Sequence, residues 1–452
     1  MRIKLDIPIA AQILPDMLNS TACSNRNDYR IEYVSTDSRD LQSGDLFFAL
    51  RGDNFNGEDY LADAKKAGAY TVGTGLQNTD FTVSDTKTSL SHLANSYKKL
   101  LNIKSCVAIT GSVGKTTTKE LTLKLLSTKF RTHGTYKNLN NEIGVPLTVL
   151  SAKKDTEILV IEAGMNHKGE LQKISECIEP DISVITNIGT AHIGNLGSRK
   201  KIAEAKEEIL CGMKTPYLLA PASDPYITRY PFLRTVSTTD ELADFYLFSS
   251  DAARGALYGF RSRYNFIDGF EIGGNMPHIP ICLSFALSVC SVLNMSNKEL
   301  RCAVDSLDFG HYEKIYKIGT LTVIDDSYNC SLESAKSALC MLSKKTEDKK
   351  SAVFGDMLEL GEFSDKLHFD LGMAISEARL SHLYLFGKSA KIVKEGAVNG
   401  GMSEDNIFIN ENISAPHITA EQIHENSNNE TLLLKGSRGM RLERILEILK
   451  EY

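Results

Sequence analysis

Several features that would mark particular protein classes are missing from this sequence. The nine cysteines, among them Cys23, Cys106, Cys211 and Cys340, form no C-x-x-C pair and are odd in number. That pattern fits a reducing cytosol rather than a disulfide framework. A basic excess is also lacking: 51 Lys and Arg stand against 57 Asp and Glu, for a net charge of -6. A general nucleic-acid binder would gather positive charge on one face, so a small or mid-sized ligand is expected instead. No long apolar run is present. The start, Met1-Arg-Ile-Lys-Leu-Asp, has no apolar leader core, and the most apolar stretch, Ile279 to Met295, is broken by Pro280 and several serines. It reads as a buried helix rather than a membrane span. Solenoid repeats and low-complexity tracts are absent as well.

What remains is ordinary globular composition, with 42% hydrophobic and 24% charged residues. A chain of 452 residues exceeds what one core organises. Three domains are expected, at residues 1–100, 101–307 and 308–452. In the first, short apolar runs such as Asp45-Leu-Phe-Phe-Ala-Leu50 alternate with polar turns, predicting a small α/β module. In the second, apolar runs at Cys106-Val-Ala-Ile-Thr110, Ile158-Leu-Val-Ile161 and Ile182-Ser-Val-Ile-Thr186 alternate with helical patterns, as a buried parallel sheet requires. In the third, strands are expected near residues 321–324, 352–354, 383–385, 407–409 and 432–434, giving a smaller doubly wound sheet.

The most informative segment is Thr110-Gly-Ser-Val-Gly-Lys-Thr-Thr-Thr118, which follows a predicted strand and opens a predicted helix whose Leu121 and Leu125 share a face. Gly111, Ser112, Val113 and Gly114 allow backbone N–H groups to curl round phosphate oxygens at a helix N-terminus. Lys115 would reach the terminal phosphates, the Thr116 hydroxyl would ligate Mg²⁺, and Thr117 continues the loop. A strict Walker sequence needs Gly where Ile109 stands, so this is a shorter variant. Another phosphate ligand, or a mere Gly-rich turn, is the competing reading.

This loop, the run Asn138-Leu-Asn-Asn-Glu-Ile-Gly-Val-Pro146, Glu162-Ala-Gly-Met165 and Thr186-Asn-Ile-Gly-Thr-Ala-His192 together resemble the Mur ligases. So do Ile202-Ala-Glu-Ala-Lys-Glu-Glu-Ile209, Asp325-Asp-Ser-Tyr-Asn329, Gly355-Asp-Met-Leu-Glu-Leu-Gly361 and Lys435-Gly-Ser-Arg438, in order along nearly the whole chain. Within the family the match is to the branch that adds D-alanyl-D-alanine. The resemblance implies an N-terminal domain for a UDP-sugar peptide, a central ATPase domain and a C-terminal Rossmann-like domain closing over the site. It implies ATP and Mg²⁺ as cofactors, UDP-N-acetylmuramoyl tripeptide and D-alanyl-D-alanine as substrates, an acyl phosphate on the way to the amide, and a cytoplasmic, monomeric enzyme of peptidoglycan synthesis.

By the same resemblance Glu162 and His192 hold Mg²⁺, and Lys206, once carbamoylated, supplies a further anionic ligand. Asn138, Asp326 and Asn329 face the nucleotide, while Ser35, Thr36, Ser38 and Arg39 bind the UDP-sugar. On the residues alone each has a plainer reading: a strand-end glutamate, a capping histidine, a solvated lysine paired with a neighbouring Glu, turn asparagines. Lys435 and Arg438 stand as possible substrate contacts. The chain departs from the family in two places. Where a His-Asn-x-x-Asn element is usual it has His278-Ile-Pro-Ile-Cys282, so Ile279 and Cys282 replace amides, and at the domain joint Gly310-His311 replaces Gly-Arg. An altered nucleotide pocket is therefore expected. A ligase of different substrates, or a non-catalytic nucleotide-binding paralogue with a regulatory or scaffold role, are the alternatives.

Overall fold

The computed structural model describes residues 1–22, 29–52, 55–251, 257–273, 278–309, 314–344, 349–427 and 429–452. His311, one of the two departures at the domain joint, lies outside them. Among the described residues three α/β sheets follow one another along the chain, of six, nine and six strands. The N-terminal sheet is parallel from Arg30–Ser35 through Leu46–Phe48 and Tyr70–Gly73 to Phe81–Thr82, with Arg2–Ala10 antiparallel at one edge.

In the central sheet Ser105–Thr110 lies between Ile158–Glu162 and Ile182–Ile185, parallel to both. Every residue of these strands is buried, which is why they read as unbroken apolar runs rather than as alternation. Beyond Ile182–Ile185 the sheet continues in parallel to Phe245–Asp251, then turns antiparallel through Leu257–Ser262 and Phe266–Glu271. The helix Ile279–Val292 packs against the helix Lys115–Ser127 that follows the glycine loop. It is apolar nearly all round because it is buried nearly all round, with Leu283, Ala286 and Leu287 fully enclosed. Pro280 sits in its first turn, where a missing N–H costs nothing. Among the described residues no helix is long and apolar enough to cross a membrane.

The C-terminal sheet runs Ile315–Ile318, Leu321–Asp326, Thr431–Lys435, Lys350–Gly355, His382–Phe386, Ile407–Asn410, all parallel except the first pair. Alternate residues of its strands enter cores on opposite faces: Leu433 and Ala352 on one, Leu432, Leu434 and Val353 on the other. That is the doubly wound arrangement expected from the sequence. All eight described cysteines are free.

Candidate active site

The strand Ser105–Thr110 ends in the glycine loop, and the loop ends in the helix Lys115–Ser127. Gly111 has φ 148°, and a Cβ there would lie 1.8 Å from Thr186 Oγ1, so glycine alone allows the neighbouring strand end to come this close. Gly114 caps the helix in the left-handed region at φ 84°. Asn187 holds the loop from beneath, its Oδ1 accepting from the N–H groups of Ser112 (3.1 Å) and Val113 (3.0 Å). Lys115 donates to the Gly111 carbonyl at 2.8 Å. It stays partly open to the cavity, yet the dense surroundings push its ammonium pKa below the ordinary lysine value, opposed by Glu162.

A cavity of about 640 Å³ opens above the loop, between the central and C-terminal domains. Ser112, Val113, Gly114, Lys115, Thr116 and Thr117 form its floor, with Gly111 beneath. Asn138, Glu162, His192 and Lys206 line it from the central domain, Asp326 and Asn329 from the C-terminal domain. Twelve site residues foreseen from six separated motifs therefore meet at one place. Ser35, Thr36, Ser38 and Arg39 do not line this cavity. They follow the end of Arg30–Ser35, where Asp37 pairs with Arg39 at 2.6 Å and so holds its own carboxyl below the usual range.

Glu162 ends its strand 3% exposed, so it is not a surface residue. Its Oε1 accepts from Asn140 Nδ2 at 2.9 Å, while Oε2 is buried without a hydrogen-bond partner. An unsatisfied carboxylate oxygen beside Thr116 on a phosphate loop fits a hard cation such as Mg²⁺. Asn141 takes a structural role instead, accepting from the N–H groups of Ile143 and Gly144 at the start of Gly144–Leu150.

Lys206 is 1% exposed, the reverse of a solvated helix lysine. Burial, reinforced by the charge of Lys115, lowers its pKa well below the ordinary value, which favours the neutral amine over the ammonium. His192 has a left-handed backbone at φ 63° and its Nδ1 lies 2.5 Å from Glu359 Oε2 of the C-terminal domain. That hydrogen bond keeps the Glu359 carboxyl below its usual pKa. Sequence reasoning quoted the Gly355 to Gly361 motif but gave Glu359 no role. The contact joins residues 167 apart, which no local pattern reveals.

Lys435 is 1% exposed and not free to meet a substrate: Nζ lies 2.9 Å from Asp326 Oδ2 and donates to the Asn329 carbonyl at 2.8 Å. It fixes the loop that carries the cavity-lining Asp326 and Asn329. Arg438 pairs with Glu443 at 3.1 Å on the rim. At the first departure from the family only His278 lines the cavity. Ile279 and Cys282, 2% and 3% exposed, are core residues, and Cys282 Sγ packs 3.8 Å from the Gly114 carbonyl.

A phosphate loop at the C-terminal end of an interior parallel strand, with an orphaned carboxylate and a buried lysine beside it and a second doubly wound domain across the cleft, defines a nucleotide-using enzyme. Residues 30–103 match the Mur ligase family catalytic domain, 109–265 the Mur ligase middle domain and 312–438 the Mur ligase glutamate ligase domain. The UDP-N-acetylmuramoyl-tripeptide--D-alanyl-D-alanine ligase of Bacillus subtilis (strain 168) is 32% identical over 97% of each chain. A crystal structure of MurF from Acinetobacter baumannii superposes with a TM-score of 0.87 at 26% identity, covering 100% of both chains. The MurF ligase of Thermotoga maritima in complex with ADP gives 0.78 at 27% identity, over 92% of this chain and 97% of that one. The chain belongs to the Mur ligase family and is an ATP-dependent ligase.

Proposed function

We propose that this protein joins D-alanyl-D-alanine to UDP-N-acetylmuramoyl tripeptide in peptidoglycan precursor synthesis, acting as a cytoplasmic monomer. The observation that carries the reading is the convergence of Lys115, Glu162, His192 and Lys206 on one cleft, in a chain matching such ligases end to end.

A carboxylate is a poor acyl donor because oxide is a poor leaving group. Transfer of the γ-phosphoryl of ATP to the tripeptide carboxylate gives an acyl phosphate. The amine of D-alanyl-D-alanine then attacks the carbonyl carbon, the C–O bond to phosphate breaks, and amide, ADP and phosphate result. The protein's share is positioning and charge neutralisation. Backbone N–H groups of the loop and Lys115 hold the phosphates; to do so the Lys115 amine leaves the Gly111 carbonyl. Thr116 and Glu162 would hold one Mg²⁺, His192 and a carbamoylated Lys206 a second. Bound there, Mg²⁺ would offset the charge on the phosphate oxygens. The neutral Lys206 amine is the form that reacts with CO₂, releasing a proton and leaving an anionic carbamate. Asp326 and Asn329, braced by Lys435, close on the nucleotide from the far side.

The replaced amides at Ile279 and Cys282 do not weaken this reading, because both side chains lie in the core rather than on the cavity wall. The test is phosphate release from ATP and Mg²⁺, with and without UDP-N-acetylmuramoyl tripeptide plus D-alanyl-D-alanine. Release is expected only when both substrates are present, and not in Lys115→Ala. Release independent of either substrate, or undiminished in the variant, would refute the assignment.

A further inference from the structure

Two carboxylates of the C-terminal domain cross the cleft and take hold of one short segment of the central domain. Glu359 meets His192 Nδ1 at 2.5 Å, and Glu333 accepts from Thr190 Oγ1 at 2.9 Å. Between these contacts the two backbones touch. The Gly194 N–H donates to the Glu359 carbonyl at 3.1 Å, and a Cβ on Gly194 would lie 2.5 Å from Gly361 N. Only glycine permits that approach. His192 and Glu359 both hold left-handed backbones at φ 63°, a strained conformation that persists only where surroundings enforce it.

The gripped segment is also the support of the phosphate loop. The Gly189 N–H donates to Ser112 Oγ at 2.9 Å, and Asn187 holds two loop N–H groups. Whatever fixes residues 189–194 therefore fixes the loop. On the imidazole, engagement of Nδ1 leaves Nε2 as the ring nitrogen with a free lone pair, so the carboxylate sets both tautomer and ring direction.

We propose that Glu359 is a positioning residue of the ligase reaction: with Glu333 it latches the C-terminal domain onto residues 189–194 and so couples domain closure to the geometry of the phosphate loop and of His192. A latch of this kind acts on the closed, reacting state and leaves the first encounter with ATP almost unchanged. Its loss therefore falls on kcat rather than on KM. The kinetic half of the proposal rests on the ligase reading above; the structural half does not.

The experiment compares the parent with Glu359→Ala, Glu359→Gln and Thr190→Val, after circular dichroism has shown each to be folded. Small-angle X-ray scattering is recorded with ADP and Mg²⁺, and steady-state kinetics with the full substrate set. Glu359→Ala is expected to lower kcat about tenfold with KM for ATP within about twofold, and to scatter with a larger radius of gyration than the parent. Glu359→Gln keeps an oxygen that can accept from Nδ1–H and recovers most of both. Thr190→Val, which removes only the second contact and preserves shape, gives a smaller change in the same direction and decides the matter should Glu359→Ala not fold. Parent-like kcat and scattering in Glu359→Ala would overturn the proposal, as would equal losses in the Ala and Gln variants without a change in scattering. If the parent itself shows no ligation, the functional reading fails while the scattering comparison still judges the latch.

Discussion

Lys206 shows how burial changes what a residue is. On a solvated helix it would keep the ordinary lysine pKa; at 1% exposure, near Lys115, its pKa is driven well down towards the amine form. The unfolded chain binds a proton at this position that the folded chain does not, between the depressed folded pKa and the unfolded value of about 10.4. The folded state therefore bears a cost at pH 7 that shrinks as pH rises through that window. Lys206→Met, which removes the titration and keeps the volume, should be more stable than the parent at pH 7 by roughly 1 to 3 kcal/mol in CO₂-free buffer. The advantage should fall towards zero at pH 10, while ligase turnover is lost. Urea melts at the two pH values measure this, and an advantage that does not change with pH would contradict it. The place of Glu162 on the cleft wall was partly legible in the sequence, since a carboxylate after an apolar strand is a site candidate. That its Oε2 has no partner was not, because this depends on where Asn140 places its amide donor.

At the scale of elements, what the sequence revealed follows from how each strand is buried. Strands enclosed on both faces, such as Ser105–Thr110 and Thr431–Lys435, write themselves as unbroken apolar runs. The antiparallel edge of the central sheet does not: in Phe266–Glu271 only Ile267 and Phe270 are buried, with exposed Asp268 and Gly269 between them, and no strand is legible there in the sequence. The same limit applies to the helix Ile279–Val292. Its burial was legible, but its packing on the phosphate-loop helix, which puts Cys282 against Gly114, depends on tertiary contact. The loop itself is the most tightly specified element. Gly111→Ala adds a methyl 1.8 Å from Thr186 Oγ1 at a φ of 148°, so the loop must leave Thr186 or the strand end must move. Either change displaces the N–H groups that receive phosphate. Nucleotide affinity should fall at least about tenfold with a stability loss on the order of 2 kcal/mol. Titration calorimetry with ADP and Mg²⁺ reads the first and a melt the second; wild-type affinity would show that the close approach does not shape the loop.

Across the whole molecule, the two domain junctions are built from different chemistry. The N-terminal and central domains are joined through the helix Thr86–Leu100, which packs on Gly144–Leu150 and Glu170–Ile178 and shares their core. Asn95 donates to the Cys177 carbonyl, Lys98 to those of Ile178 and Glu179, and the buried Tyr97 hydroxyl accepts from the N–H groups of Asp6 and Ile7. Those two N–H groups lie where the register of the first strand shifts, so the ladder does not satisfy them. Across the other junction the contact is narrower: the polar seam of Glu333 and Glu359 lies beside the short helix Ile193–Leu196, which meets Gly361–Phe363, although the apolar cluster runs on across it through Ile193 and Leu360. The first two domains should accordingly melt as one cooperative unit and the C-terminal domain separately. Tyr97→Phe leaves two backbone donors unpaired, at about 1 kcal/mol or more. It should therefore lower the transition of the joined pair by a few degrees and leave the C-terminal transition in place. Differential scanning calorimetry resolves the two, and a single transition shifted as a whole would mean that the polar seam holds as firmly as the shared core.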